Sequence, residues 1–446
     1  MRFVETLVTL ALVVALAVAA PTDSPTLPAD DAFYTPPEGF EKTAPGTILR
    51  LRAPPKPISI FSAFQTNLAA AHQLLFRSTN SFGEPVAAVS TILVPQNADY
   101  TKLLSYQVAE DAADPSCAPS YAFQLGSSMD GPIRLVSPQY ELAVMSTALQ
   151  RGWVVTVPDH LGLQSAFLAN HLSGNIVLDN IRAALASAND TQVDPHATIA
   201  LWGYSGGSLS TGFAAEAQPD YAPELDISGA VLGGTVPAIL PVIEATNKGL
   251  FAGLIPAGVQ GLAREYSDIG DLIQRSLTDD GRKEFDKTKD LCLAGNIVTY
   301  AGKDVYQFVT DPNVFKSPTA SKIIGQNDMG SRVPRIPLLV YKAGQDEVSP
   351  IKDTESLVDT YCRGGASVDY RVDESAEHVA LGLLGVPEAV IWLTDRFNGE
   401  KADPGCSHSS QLTSLQDPKA LAILGVTAVQ ILTEALHAPV GPIQIG

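Results

Sequence analysis

Six segments of the chain have the length and the aliphatic, β-branched content of buried strands. They are AAVSTILVP (87–95), KLLSYQVAED (102–111), GWVVTVPD (152–159), ATIALWGYS (197–205), DISGAVLGGT (226–235) and IPLLVYKAGQD (336–346). Most of them end at Asp, Gly or Ser. Between them, PQYELAVMSTALQR (138–151), IVLDNIRAALASAN (176–189) and LSTGFAAEAQ (209–218) carry apolar residues at helical spacing. A strand that is apolar throughout needs cover on both faces, and helices in the connections supply it. The alternation therefore predicts an α/β fold with a mostly parallel sheet and helices on both sides.

The alternation stops between 236 and 330 and resumes at Ile336. The intervening AGLIPAGVQGLAREYSDIGDLIQRSLTDDGRKEF reads as helices without strands. About ninety residues is too long for an ordinary crossover, so an inserted helical cap subdomain is expected there. Residues 20–60 are Pro-rich and read as an irregular arm. The expected layout is a leader over 1–19, the arm over 20–60, core over 61–235, helical cap over 236–330, and core again over 331–446.

The leader has Arg2, an apolar run from Leu7 to Ala19 and a small-x-small pattern at Ala17-Val18-Ala19, as a secretory signal peptide does. That run is short for a membrane span, and no later segment reaches eighteen uninterrupted apolar residues, so no transmembrane anchor is expected. Of the 446 residues, 45 % are hydrophobic and 17 % charged, enough to bury a large core and against disorder. The net charge of −19 argues against nucleic acid as a partner. Cys117, Cys292, Cys362 and Cys406 form an even set, which in a secreted chain suggests two disulfides with three pairings open. No Cys-x-x-Cys occurs, which argues against a zinc or redox site. Asn189-Asp190-Thr191 is a glycosylation sequon.

One strand, Ile199–Trp202, runs into Gly203-Tyr204-Ser205-Gly206-Gly207 and then a helix. Glycines around a serine at such a junction permit a sharp turn that lifts the hydroxyl clear of the sheet. Serine is a weak nucleophile until a base takes its proton and an acid orients that base. On this strand–turn–helix pattern the partners follow in the order Ser, acid, His. His378, His408 and His437 follow Ser205, and His378 is placed best, in the loop after VDYRVD (368–373). Asp346 and Glu347 both follow the strand IPLLVYKA, and spacing does not separate them. The oxyanion needs backbone donors, expected from Gly206 and from somewhere in 110–112 after an early strand. Asp159 and His160 precede Ser205 and read as structural or rim residues.

SYQVAEDA…CAPSY, PDHLG, GYSGG, YAPELDISGAVLGGT, FAGLIPAGVQGL, QDEVSP and AEHVA, in this order, resemble the fungal secretory lipases from about residue 85 to the C-terminus. The resemblance implies an α/β-hydrolase core with a helical cap, Ser205 as nucleophile, Asp346 as acid and His378 as base. It places the oxyanion hole at Asp111 and Gly206, pairs Cys117 with Cys292 and Cys362 with Cys406, and makes APVGPIQIG at the C-terminus a flap near the site. It implies hydrolysis of acylglycerols at a transient lipid–water interface, without a metal or organic cofactor. Two other readings are kept: a carboxylesterase or deacetylase for small soluble esters or secondary metabolites, and a non-catalytic binding protein on the same fold.

Overall fold

The computed structural model describes residues 24–127, 136–434 and 436–442. The signal peptide expected over 1–19 lies outside them. The strands, in chain order, are β1 (Ile48–Arg52), β2 (Ser59–Ile60), β3 (Phe64–Gln65), β4 (Ala70–Thr79), β5 (Pro85–Val94), β6 (Asp99–Gln107), β7 (Trp153–Pro158), β8 (Thr198–Tyr204), β9 (Ile227–Gly233), β10 (Leu338–Ala343), β11 (Val368–Asp373) and β12 (Cys406–Gln411). Ten of them form one sheet in the order β1-β4-β5-β7-β6-β8-β9-β10-β11-β12, and β2 and β3 pair separately. From β7 through β6 to β12 all neighbours are parallel, and β1, β4 and β5 add an antiparallel end.

The central strands are covered on both faces, as their composition requires. Trp202, Val231, Leu339 and Tyr341 pack on one side with the helices Val136–Leu149 and Val386–Phe397. Leu201, Leu232 and Val340 pack on the other with the helices Asn170–Ala186, Gly206–Tyr221 and Ile351–Arg363. This is the mostly parallel α/β sheet that the strand–helix alternation predicts.

The ends of the sheet differ from expectation. β1 falls in the stretch read as an irregular arm; its sequence ILRLR is half-buried and pairs antiparallel with β4, so an edge position lets arginines stand in a strand. β12, CSHSSQ, is polar and almost wholly exposed, a composition that predicts loop. Its register comes from β11 and from the Cys362–Cys406 disulfide, not from burial. The last described residues, 436–442, lie at the N-terminal ends of β6 and β7. Gln96 N–H donates to Val440 O, and Pro442 packs on Gly152. That is the opposite end of the sheet from Ser205, so this part of the expected flap is not near the serine; residues 443–446 lie outside the described residues.

Between β9 and β10 come six α-helices and no strand: Ile239–Thr246, Leu254–Glu265, Ser267–Ser276, Asp279–Lys287, Leu293–Tyr300 and Pro318–Gln326. Their apolar stripes, including Ile243, Ile255, Leu262, Ile273 and Ile324, meet each other and rest on Phe76 and Ile176 as a core of their own. A second disulfide, Cys117–Cys292, ties this segment to the turn after β6 across 175 residues of chain.

A cross-link between Cys362 and Cys406 closes 44 residues of chain and holds the exposed β12 to the helix Ile351–Arg363. In the double variant Cys362→Ser, Cys406→Ser, denaturant unfolding is expected to show a loss of about 2–4 kcal/mol. Unchanged stability would show that β12 needs no tie.

Candidate active site

At the end of β8 the chain passes from strand to helix through a single residue. Ser205 has φ +52° and ψ −120°, a conformation that costs a non-glycine residue on the order of 1–3 kcal/mol. Its N–H donates to Gly233 O at 2.8 Å, and its carbonyl accepts from Leu209 N–H at 3.1 Å, so strand β9 and the helix both hold it. The glycines that follow are required by close approach. A Cβ on Gly206 would stand 1.9 Å from Asp111 Oδ1, and one on Gly207 would stand 2.0 Å from Gln107 O.

His378 begins the helix His378–Leu384. Its Nε2 lies 2.8 Å from Ser205 Oγ, and its Nδ1 lies 2.8 Å from Asp346 Oδ2. Asp346 sits in the turn after β10, where its Oδ1 accepts the N–H groups of Val348 (2.9 Å) and Ser349 (2.7 Å). Burial works against its charge, but the hydrogen bond from His378 and the Lys342 cation outweigh burial and hold the carboxyl well below the usual range. Glu347 serves a different atom: its Oε2 accepts the backbone N–H of His378 at 2.6 Å. The Tyr204 hydroxyl donates to the His378 carbonyl, so both ends of that residue are fixed.

Sequence reasoning missed Lys342. It is fully buried, and its Nζ lies 2.9 Å from Asp346 Oδ2 and 2.7 Å from Thr235 O. The signal was there: one lysine inside the apolar strand LLVYKA, four residues before the acid.

The segment after β6 is braced from below. Glu141 Oε1 accepts Ala109 N–H at 2.8 Å and its Oε2 accepts the Tyr106 hydroxyl at 3.0 Å. His160 Nε2 donates to Val108 O at 2.7 Å, so its Nδ1 accepts from Ser210 Oγ at 2.8 Å. Burial lowers His160 to about 4, which leaves it neutral at neutral pH. Asp159 accepts the N–H and hydroxyl of Ser120. Asp159 and His160 thus hold loops and do not bond to Ser205 or His378. Asp111, at φ +42°, carries its carboxylate over Gly206, and burial raises it to about 7.

Ser205, Gly206 and Asp111 line part of a cavity. Beyond them its walls are apolar and come mostly from the helical segment, among them Ile239, Ile255, Leu262, Ile273 and Phe315. The remaining candidates lie elsewhere. His408 stacks on Tyr370 at the exposed β12, and His437 is exposed, with Nδ1 3.1 Å from Gln65 O. Asn189 is exposed in the short helix Ala188–Thr191, and Thr191 is buried, bonded to Ser187.

A serine, an imidazole and a carboxylate in line, beside backbone turned toward an apolar cavity, can carry out acyl transfer. The comparisons with known proteins agree. The secretory lipase family model matches residues 127–405. Lipase A of Arthroderma benhamiae is 44 % identical over 423 residues, covering 94 % of this chain and 90 % of that protein. A relative from Mycobacterium tuberculosis, 37 % identical over 422 residues and 92 % of each chain, carries the word inactive in its name. Family likeness alone therefore leaves activity to be argued from the site. The crystal structure of Candida antarctica lipase A in its closed state superposes with a TM-score of 0.82 at 30 % identity, over 95 % of this chain and all of that one. The fold and these matches together establish that the chain belongs to the secretory lipase family.

Proposed function

We propose that this protein is a secreted lipase that cleaves acylglycerol esters through Ser205, His378 and Asp346. The observation that carries the reading is the pair of 2.8 Å contacts that link Asp346, His378 and a left-handed Ser205 at the mouth of an apolar cavity. His378 takes the Ser205 proton as Oγ attacks the ester carbonyl. The alcohol leaves with that proton, and water repeats the sequence on the acyl-enzyme. Asp346 holds Nδ1–H of the ring, which keeps Nε2 free as the base and stabilises the imidazolium. The N–H groups of Gly206 and Asp111 receive the oxyanion.

In this reading the helices over 236–330 are a cap whose apolar walls hold the acyl chain. An apolar cavity favours a long acyl group over an acetyl group, which sets the lipase above the small-ester esterase. The complete serine–histidine–aspartate line argues against a non-catalytic binding protein. Export through the 1–19 signal peptide, action at a lipid–water interface and a glycan on the exposed Asn189 belong to the same proposal. Among the described residues, no single helix is long and apolar enough to cross a membrane.

Ser205→Ala is expected to lower kcat by about 10⁶-fold with the fold intact. Asp346→Asn is expected to cost about 10⁴-fold through the wrong ring tautomer. Glu347→Gln, which touches only the His378 backbone, should cost far less; a larger loss from Glu347→Gln would exchange their roles. Rates on p-nitrophenyl esters and triglycerides from C2 to C18 should rise with chain length, and a C2 optimum would favour the esterase.

Asp111 adds a pH dependence. With its carboxyl raised to about 7, it is neutral below that pH and becomes an anion beside Gly206 above it. That anion opposes the oxyanion, so kcat/KM should fall as pH rises through about 7. Asp111→Asn, which keeps the left-handed backbone accessible, should abolish that fall. A fall that persists in the variant would assign it to another group.

A further inference from the structure

Lysine in the interior of a central strand is costly unless its charge is met, and β10 keeps one with no exposed surface. What meets it is the acid of the site. Asp346 Oδ2 receives both His378 Nδ1 at 2.8 Å and Lys342 Nζ at 2.9 Å, while Oδ1 receives two backbone N–H groups. Four donors thus occupy the carboxylate and leave it one orientation. Lys342 also donates to Thr235 O at 2.7 Å, an oxygen that accepts from Ser349 Oγ (3.2 Å) and Thr354 Oγ1 (3.3 Å) as well. The ammonium therefore joins the end of β9, the turn after β10 and the helix Ile351–Arg363 at the back of the acid.

Building on the reading of Ser205, His378 and Asp346 as a catalytic unit, we propose that Lys342 is its positioning residue. The buried ammonium fixes Asp346 against His378 and offsets the carboxylate charge beside the imidazole. The charged and titratable groups around the pair are few. Asp346, Asp353 and Glu347 face Lys342, and their carboxylates oppose the effect of burial on it. His378 is faced by Asp346, by Glu347 at its backbone, by the Tyr204 ring at 5.4 Å with Tyr341 behind it, and across Ser205 by Asp111. Lys342 is the single cation among these named groups. Removing it leaves Asp346 uncompensated, and an uncompensated carboxylate beside an imidazole favours the imidazolium.

The test is the pH profile of kcat/KM on a soluble p-nitrophenyl ester for wild type, Lys342→Gln and Lys342→Met. Gln keeps a donor near Asp346 and Thr235 without charge; Met keeps only bulk. Both are expected to move the acid limb up by about one pH unit, which is about a tenfold extra loss below the limb. Lys342→Met should in addition lower kcat across the profile, because the carboxylate loses a donor, with KM held. In an Asp346→Asn background Lys342→Met should no longer lower kcat, since the lysine positions the ring through that carboxylate. An unmoved acid limb in either folded variant would overturn the proposal, as would a loss of kcat from Lys342→Met that persists in the Asp346→Asn background. Failure of both variants to fold would make Lys342 a folding residue and overturn it too. Ser205→Ala in the same assay separates the two readings: if it stays active, the catalytic unit itself is wrong; if it is dead while the limb stays put, only the role of Lys342 is.

Discussion

The left-handed backbone of Ser205 is the constraint around which the rest is arranged. A chain that turns from strand to helix in one residue can do so only if nothing crowds the turn and something holds it. Gly206 and Gly207 remove the crowding, against Asp111 on one side and the end of β6 on the other. Gly233 O, on the neighbouring strand, holds the serine N–H. Parallel strands then bring their C-terminal ends to the same edge, so the loops after β6, β8, β10 and β11 converge there without further device.

The chemistry at that edge is set by what is buried with it. The segment after β6 rests on Glu141 and on neutral His160, both under cover, so the backbone that would receive an oxyanion is held from behind by hydrogen bonds. On the other side Asp346 carries its charge because His378 and Lys342 face it. Preorganised donors and a fixed carboxylate are worth most where water is excluded, and the cavity beside Ser205 has apolar walls.

Much of this was legible in the sequence where a physical pattern is local. The aliphatic runs mark the buried strands, the glycines mark the turn at Ser205, and the ninety-residue pause marks the helical segment. Adjacent residues are harder. Asp346 and Glu347 share one turn, and only the path of the chain puts one on the imidazole and the other on the His378 backbone. The signal at Lys342 points the wrong way, because a single charge in an apolar strand is ordinarily a sign of an edge, not of a buried partner. β12 was missed because its pairing is sustained by a disulfide and a neighbouring strand, with no apolar face to show it. The tail at 439–442 meets residues more than three hundred positions away, a contact that local sequence does not encode.

The central claim is that one hydroxyl does the chemistry, and covalent labelling tests it most directly. A long-chain alkyl phosphonate, incubated with the intact protein and followed by peptide mapping, should modify Ser205 at one equivalent per chain and abolish ester hydrolysis in proportion. A label on a different residue, or full labelling of Ser205 with hydrolysis retained, would contradict the account.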